Sequence, residues 1–199
     1  MKKIFVMAVV ALMATVNAMA QHREGDITIQ PRVGVTFSNV TNTSNAKMKT
    51  NVAFGVEVEH YFTDQFGLAA GVLYTNQGFK YSDGTKFNNH YCAVPITANY
   101  YVLPGLAIKA GVQPAFRVKT NLVVNGTSYD MDKALEILFV GDDDVKMNKF
   151  DLSIPVGLSY EFNGVTLDAR YNFGITKLFS GVDDAMRNQV IVVTLGYKI

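Results

Sequence analysis

From residue 27 onward the chain keeps returning to a two-residue rhythm. Residues 27–38 set Ile29, Val33, Val35 and Phe37 on one side against Thr28, Gln30, Arg32, Gly34 and Thr36 on the other. Successive side chains of a strand point to opposite faces, so the alternation predicts a strand with one apolar and one polar face. The pattern recurs over residues 52–62, 66–76, 91–101, 106–119, 150–162, 165–176 and 190–199, which makes eight predicted strands. In the fourth, Pro95 cannot donate to a ladder, so a local irregularity is expected there.

The connections alternate as strictly as the strands. Those after the second, fourth and sixth strands are tight, at Thr63-Asp64-Gln65, Leu103-Pro104-Gly105 and Asn163-Gly164. Asn-Gly between two alternating runs signals a two-residue type I′ hairpin. The other connections are polar and long, over residues 40–51, 78–89, 120–148 and 177–188. Short turns at one end and long loops at the other describe a bacterial outer-membrane barrel, and predict both termini on the periplasmic side. The expected fold is an all-β, eight-stranded antiparallel up-and-down transmembrane β-barrel.

The aromatic residues on the apolar faces sort into two bands. Phe62, Phe66, Tyr100, Tyr160, Phe162 and Tyr197 fall near the tight turns. Phe37, Phe54, Tyr74, Phe116, Phe150 and Phe173 fall near the long connections. Two aromatic girdles at headgroup height belong to a barrel in lipid. A soluble lipocalin-like barrel would turn its apolar face inward and leave charges outside. The last strand would pair with the first, since a barrel in lipid leaves no edge unpaired.

Composition sharpens this picture. The chain of 199 residues is 49% hydrophobic, yet beyond residue 20 no run approaches the ~18 apolar residues of a membrane helix. Residues 1–20 carry a basic start at Lys2 and Lys3, an apolar run, and Ala18-Met19-Ala20 as an A-x-A site. They are expected to be a secretory signal peptide cleaved between Ala20 and Gln21, leaving residues 21–199 as the barrel domain. Without Lys2 and Lys3 the chain has 16 basic against 17 acidic residues, which argues against nucleic acid as a partner. Cys92 is the single cysteine, so no internal disulfide or thiolate metal cluster is expected.

The polar faces hold the charges. Arg32, Lys109, Arg117, Arg170 and Lys198 are expected to point into the lumen with Glu57, Glu59, Asp151, Glu161 and Asp168. An eight-stranded interior is only just wide enough for side chains to fill. Charges buried singly there cost several kcal/mol each, so the balance of signs predicts a paired network and a closed lumen. Counting back from Asn163-Gly164 pairs Gly157 with Arg170 and Ser159 with Asp168. Removing Arg170 is expected to leave a buried carboxylate unpaired, at a cost of roughly 3–5 kcal/mol if the pair is dry.

Particular segments carry a family resemblance. Tyr61-Phe62-Thr63-Asp64-Gln65-Phe66-Gly67-Leu68, with Tyr74 and Gly78 beyond, resembles the second hairpin of PorT-family outer-membrane barrels. Val94-Pro95-Ile96 with Tyr100-Tyr101 resembles that family's fourth strand, and residues 168–174, DARYNFG, its seventh. The chain departs from the pattern at Ile199, where an aromatic is usual, and at Ala93, where an acid is frequent. The resemblance implies an eight-stranded barrel in the outer membrane, inserted by the barrel-insertion machinery. The family's founding member is linked to protein secretion, which makes an envelope or secretion-complex protein the candidate partner beside outer-membrane lipid.

Little in the sequence points to catalysis or to a cofactor. His22, His60 and His90 are scattered, and only His90 with Ser82 and Asp83 brings together groups seen in an acyltransferase site. Asp142-Asp143-Asp144 lacks the alternating spacing and terminal Glu of a calcium loop and reads as a solvated acidic tip. Residues 130–140, capped by Asp130 and ended by Gly141, are expected to form a short amphipathic helix at the barrel rim. Two functional classes remain: a structural or interaction protein, and a narrow conduit or carrier for a small or hydrophobic ligand.

Overall fold

β-branched and aromatic residues at every second position favour extended backbone, and polar residues between them give each strand a second face. In the computed structural model, which describes residues 22–40, 48–78, 80–82, 85–124, 127–130, 146–176, 179–180 and 187–199, that pattern closes on itself. The elements are β1 (Ile27–Val40), β2 (Lys49–Thr63), β3 (Phe66–Gln77), β4 (Lys80–Ser82), β5 (Thr85–Ala93), β6 (Ile96–Leu103) and β7 (Leu106–Val124). They continue with β8 (Thr127–Asp130), β9 (Lys146–Met147), β10 (Phe150–Phe162), β11 (Val165–Gly174), β12 (Phe179–Ser180) and β13 (Asn188–Tyr197).

Every pairing is antiparallel. Around the wall the order is β1, β2, β3, β5 with β6, β7, β10, β11 and β13, and β13 returns to β1 with Arg32 opposite Gly196. Ile199 continues that seam, exchanging backbone hydrogen bonds with Ile29 at 2.9 and 3.0 Å. The result is a closed eight-stranded antiparallel β-barrel, with no helix among the described residues. The fourth wall strand is broken into β5 and β6 at Val94-Pro95, as a residue without an N–H requires. The wall stays sealed because Pro95 accepts a hydrogen bond from Gly71 N at 3.0 Å and Val94 N donates to Pro114 O at 2.8 Å.

Each long connection differs from the sequence expectation: β2 already begins at Lys49, and residues 177–188 hold β12, which pairs with β9. Residues 78–89, read as a loop, contain β4 and the first half of β5, which pair with each other. Residues 120–148, read as one long connection, contain the end of β7 and β8, paired from Asn121 with Asp130 to Val124 with Thr127. Lys80, Ser82, Asn88, Asn89, Thr127 and Ser128 interrupt the apolar pattern and Leu122-Val123-Val124 runs on without a break, so the alternation fades while backbone pairing carries on. Asp130 therefore ends a strand, and the rest of the expected helix lies outside the described residues. So do Asp83, the Asp142–Asp144 tip, and Ala20 and Gln21 at the expected cleavage site.

Faces follow the expected parity. Val33, Phe54, Val72, Phe116, Leu158, Leu167 and Leu195 stand exposed on the outer wall, where lipid would cover them, while the opposite faces are buried. Cys92 is half-buried on that outer side, beside Tyr74.

Candidate functional site

The lumen concentrates the chemistry of this chain, and the turn between β10 and β11 shows how the wall positions it. Asn163 and Gly164 both take positive φ, 50° and 79°, which makes the two-residue turn. Phe162 then pairs with Val165, Ser159 with Asp168 and Gly157 with Arg170. Gly157 also faces Lys109 on its other side, so one residue without a side chain lies between two long cations. A Cβ at Gly157 would come within 2.3 Å of Ala169 O and 3.0 Å of Arg170 Cγ. Arg32 is flanked in the same way, by Gly55 and Gly196. Glycines make lateral room where the longest side chains turn inward.

Five of these side chains form one cage at mid-barrel. Glu57 takes Arg32 Nη1 at 2.9 Å, Lys109 Nζ at 3.0 Å and Arg170 Nη2 at 2.7 Å. Asp168 takes Arg32 Nη2 at 3.2 Å, Lys109 Nζ at 3.0 Å and Arg170 Nε at 2.7 Å. No side chain in the cage is more than 3% exposed. Each carboxylate is therefore held by the same three cations, which overturns the expectation that removing Arg170 leaves a carboxylate unpaired. If Arg170 were lost, Arg32 and Lys109 would still hold both acids.

A second cage closes the end that carries the tight turns. Lys198 Nζ lies 3.0 Å from Glu59 and 2.9 Å from Glu161. Tyr61 and Tyr101 join their hydroxyls at 2.9 Å, both accept from Lys198, and Tyr101 donates to Glu59 at 2.8 Å. Asn99 Nδ2 donates to the same carboxylate at 2.6 Å. His22 completes the lid, its ring stacked on Tyr61 at 4.4 Å and its Nε2 3.0 Å from Glu161. Counting the two cages together, four cations meet four carboxylates. That equality lets a membrane-embedded interior bury them at all.

Arg117 and Asp151, expected in the same network, stand apart from both cages. Arg117 is half-buried toward the long-connection end, donating to the Thr120 hydroxyl and to Asn148 O. Asp151 accepts from Thr176 at 2.5 Å and from Asn188 at 2.8 Å, both neutral donors. Between Asp151 and the central cage lies an apolar plate of Ala53, Leu73, Val190 and Val192. Sequence patterning missed the plate because Val190-Ile191-Val192-Val193 is an unbroken apolar run, which does not show which of its residues face inward. It also missed His22, which precedes the first alternating run and carries no local signal. His90 Nδ1 is bonded to Tyr74 Oη at 2.5 Å, and His60 packs edge-on to Phe62, so the three histidines lie at separate places.

The wall, its greasy exterior and its charged interior identify the class, and comparison with known proteins agrees. Residues 19–180 match the family described as "Outer membrane protein beta-barrel domain". The chain belongs to that family. No match is found among curated proteins. Among solved structures, the barrel resembles the attachment invasion locus protein Ail of Yersinia pestis at 18% identity, covering 88% of this chain and 99% of that one, with a TM-score of 0.53. It also resembles Neisserial surface protein A, at 12% identity over 87% and 97% of the two chains, with a TM-score of 0.51. At such identities the likeness concerns the fold. The barrel is thus an outer-membrane β-barrel.

Proposed function

We propose that this barrel is a PorT-like structural or interaction protein of the outer membrane, sealed to solutes and without enzymatic activity. Residues 1–20 serve as an export signal removed between Ala20 and Gln21, and the domain of residues 21–199 is inserted with both termini in the periplasm. Its partners are membrane lipid and a protein of an envelope or secretion complex, met through the long connections. One observation carries the reading: Glu57 and Asp168, each braced by Arg32, Lys109 and Arg170, fill the mid-barrel cross-section with side chains no more than 3% exposed. Opening a path there means separating buried ion pairs, which costs several kcal/mol per unpaired charge.

Bilayer conductance tests this. The purified barrel is expected to leave a planar bilayer near its baseline conductance. Large, steady single-channel currents from the wild-type protein would refute the sealed lumen and favour the narrow conduit, the reading in which the interior passes a small ligand.

A further inference from the structure

Above the apolar plate, toward the long connections, the lumen holds a small chamber of about 10 Å³ lined by Gln77, Gln113, Ala115, Asp151, Ser153, Asn172, Asn188 and Val190. Three features set it apart from the cages below. Asn172 is 2% exposed, and neither its Oδ1 nor its Nδ2 has a hydrogen-bond partner among the described residues. Gln77 is 3% exposed, and its Nε2 donates to Thr75 while its Oε1 is left without a donor. Asp151, 8% exposed, accepts only neutral donors among the described residues, whereas every carboxylate of the two cages meets a lysine.

We propose that this chamber is a binding site for one partly dehydrated monovalent cation, sodium or potassium, held by the Asp151 carboxylate and the side-chain oxygens of Asn172 and Gln77. Hard cations take oxygen ligands, and here one carboxylate with neutral amide oxygens supplies a single negative charge. The space is that of one water-sized sphere, too small for an ion with its hydration shell intact. A divalent ion fits poorly: magnesium keeps several waters, and calcium seeks six to eight oxygens. A water molecule could bond the two amide oxygens, but it would leave Asp151 without a counter-charge. All three ligand residues lie on strands that tight turns fix in register: Gln77 ends β3, which the turn at Asp64-Gln65 joins to β2, and Asp151 on β10 and Asn172 on β11 are joined through Asn163-Gly164.

The site can be tested on the refolded full-length barrel in a non-ionic detergent. Urea unfolding is followed in sodium, potassium or choline chloride at equal ionic strength. The wild-type midpoint should rise saturably with sodium or potassium relative to choline. Asp151→Asn should abolish that dependence while the barrel still folds, because the substitution keeps the shape and removes the uncompensated charge. Asn172→Leu is the second variant and should weaken the ion dependence at least several-fold. Equal wild-type midpoints in all three salts would overturn the proposal, leaving the chamber to water or to a protonated Asp151. An ion dependence that persists unchanged in Asp151→Asn would overturn it too. Sodium-23 relaxation of the wild-type protein gives a check that needs no variant: excess broadening, displaced by potassium, is expected, and its absence refutes the site.

Discussion

At the scale of single residues, the central cage has an asymmetry that substitutions can read. Three cations surround two carboxylates, so the two kinds of deletion are not equivalent. Asp168→Asn leaves Arg32, Lys109 and Arg170 around Glu57 alone, a net positive cluster in a dry interior. A loss of about 3–5 kcal/mol is expected. Arg170→Met leaves two cations on two acids, keeps much of the side-chain volume, and should cost about half as much or less. Urea titration scored by the heat-modifiable band on gels, or by tyrosine fluorescence in this tryptophan-free chain, would rank the two variants. An Arg170→Met barrel less stable than Asp168→Asn would mean that geometry rather than charge count governs the cage. Parity marked the charged positions within the alternating runs but not Lys49, which is buried on a part of β2 that the sequence pattern leaves in a loop. Nor did parity reveal how the charges pair. Glu57 on β2 meets Asp168 on β11 through shared cations across the barrel, a proximity fixed by strand tilt and closure that leaves no mark in local sequence.

At the scale of elements, the β10–β11 hairpin is the part of the wall that sequence specifies most tightly. Its turn, its register and the parity of both strands all follow from Asn163-Gly164, because a two-residue loop with both φ values positive admits one pairing. The same logic makes the turn fragile. Gly164→Val puts a β-branched residue at φ 79°, with its Cβ 3.1 Å from the Tyr197 ring. A loss of about 1–3 kcal/mol is expected from the backbone alone, with slower refolding from urea as the second readout. Asn163→Gly should be tolerated within about 1 kcal/mol, since glycine accepts positive φ. Other elements were less legible, for physical reasons. β4 and β8 extend the hairpins beyond the apolar band, where neither face need be greasy, so pairing persists without alternation. Residues 22–26 form no strand of their own. They are tied in by backbone bonds from Gly25 to Tyr61 and from Tyr61 to Asp26, and by His22 over Glu161, none of which a period-two pattern can reveal.

At the scale of the whole molecule, connection length and girdle placement together make an orientation testable. The two-residue turns at Asp64-Gln65, Pro104-Gly105 and Asn163-Gly164 lie at one end with Ile27 and Ile199, and the long connections lie at the other. A polar segment of many residues is carried across the outer membrane during insertion, while a two-residue turn need only stay behind. The tight end should therefore face the periplasm. Single-cysteine variants in a Cys92→Ser background would read this directly, since Cys92 is half-buried on the outer wall and unsuited as a probe. Asp64→Cys places a thiol at an exposed tight turn, and Tyr129→Cys places one on β8 at a residue 53% exposed. With a membrane-impermeant maleimide on intact cells, Tyr129→Cys should label at once, and Asp64→Cys only after the outer membrane is permeabilised. Neither change touches the cages or the chamber, so both variants should fold. Labelling of Asp64→Cys with protection of Tyr129→Cys would invert the barrel, turning the lid of His22, Tyr61 and Lys198 toward the outside and the Asp151 chamber toward the periplasm.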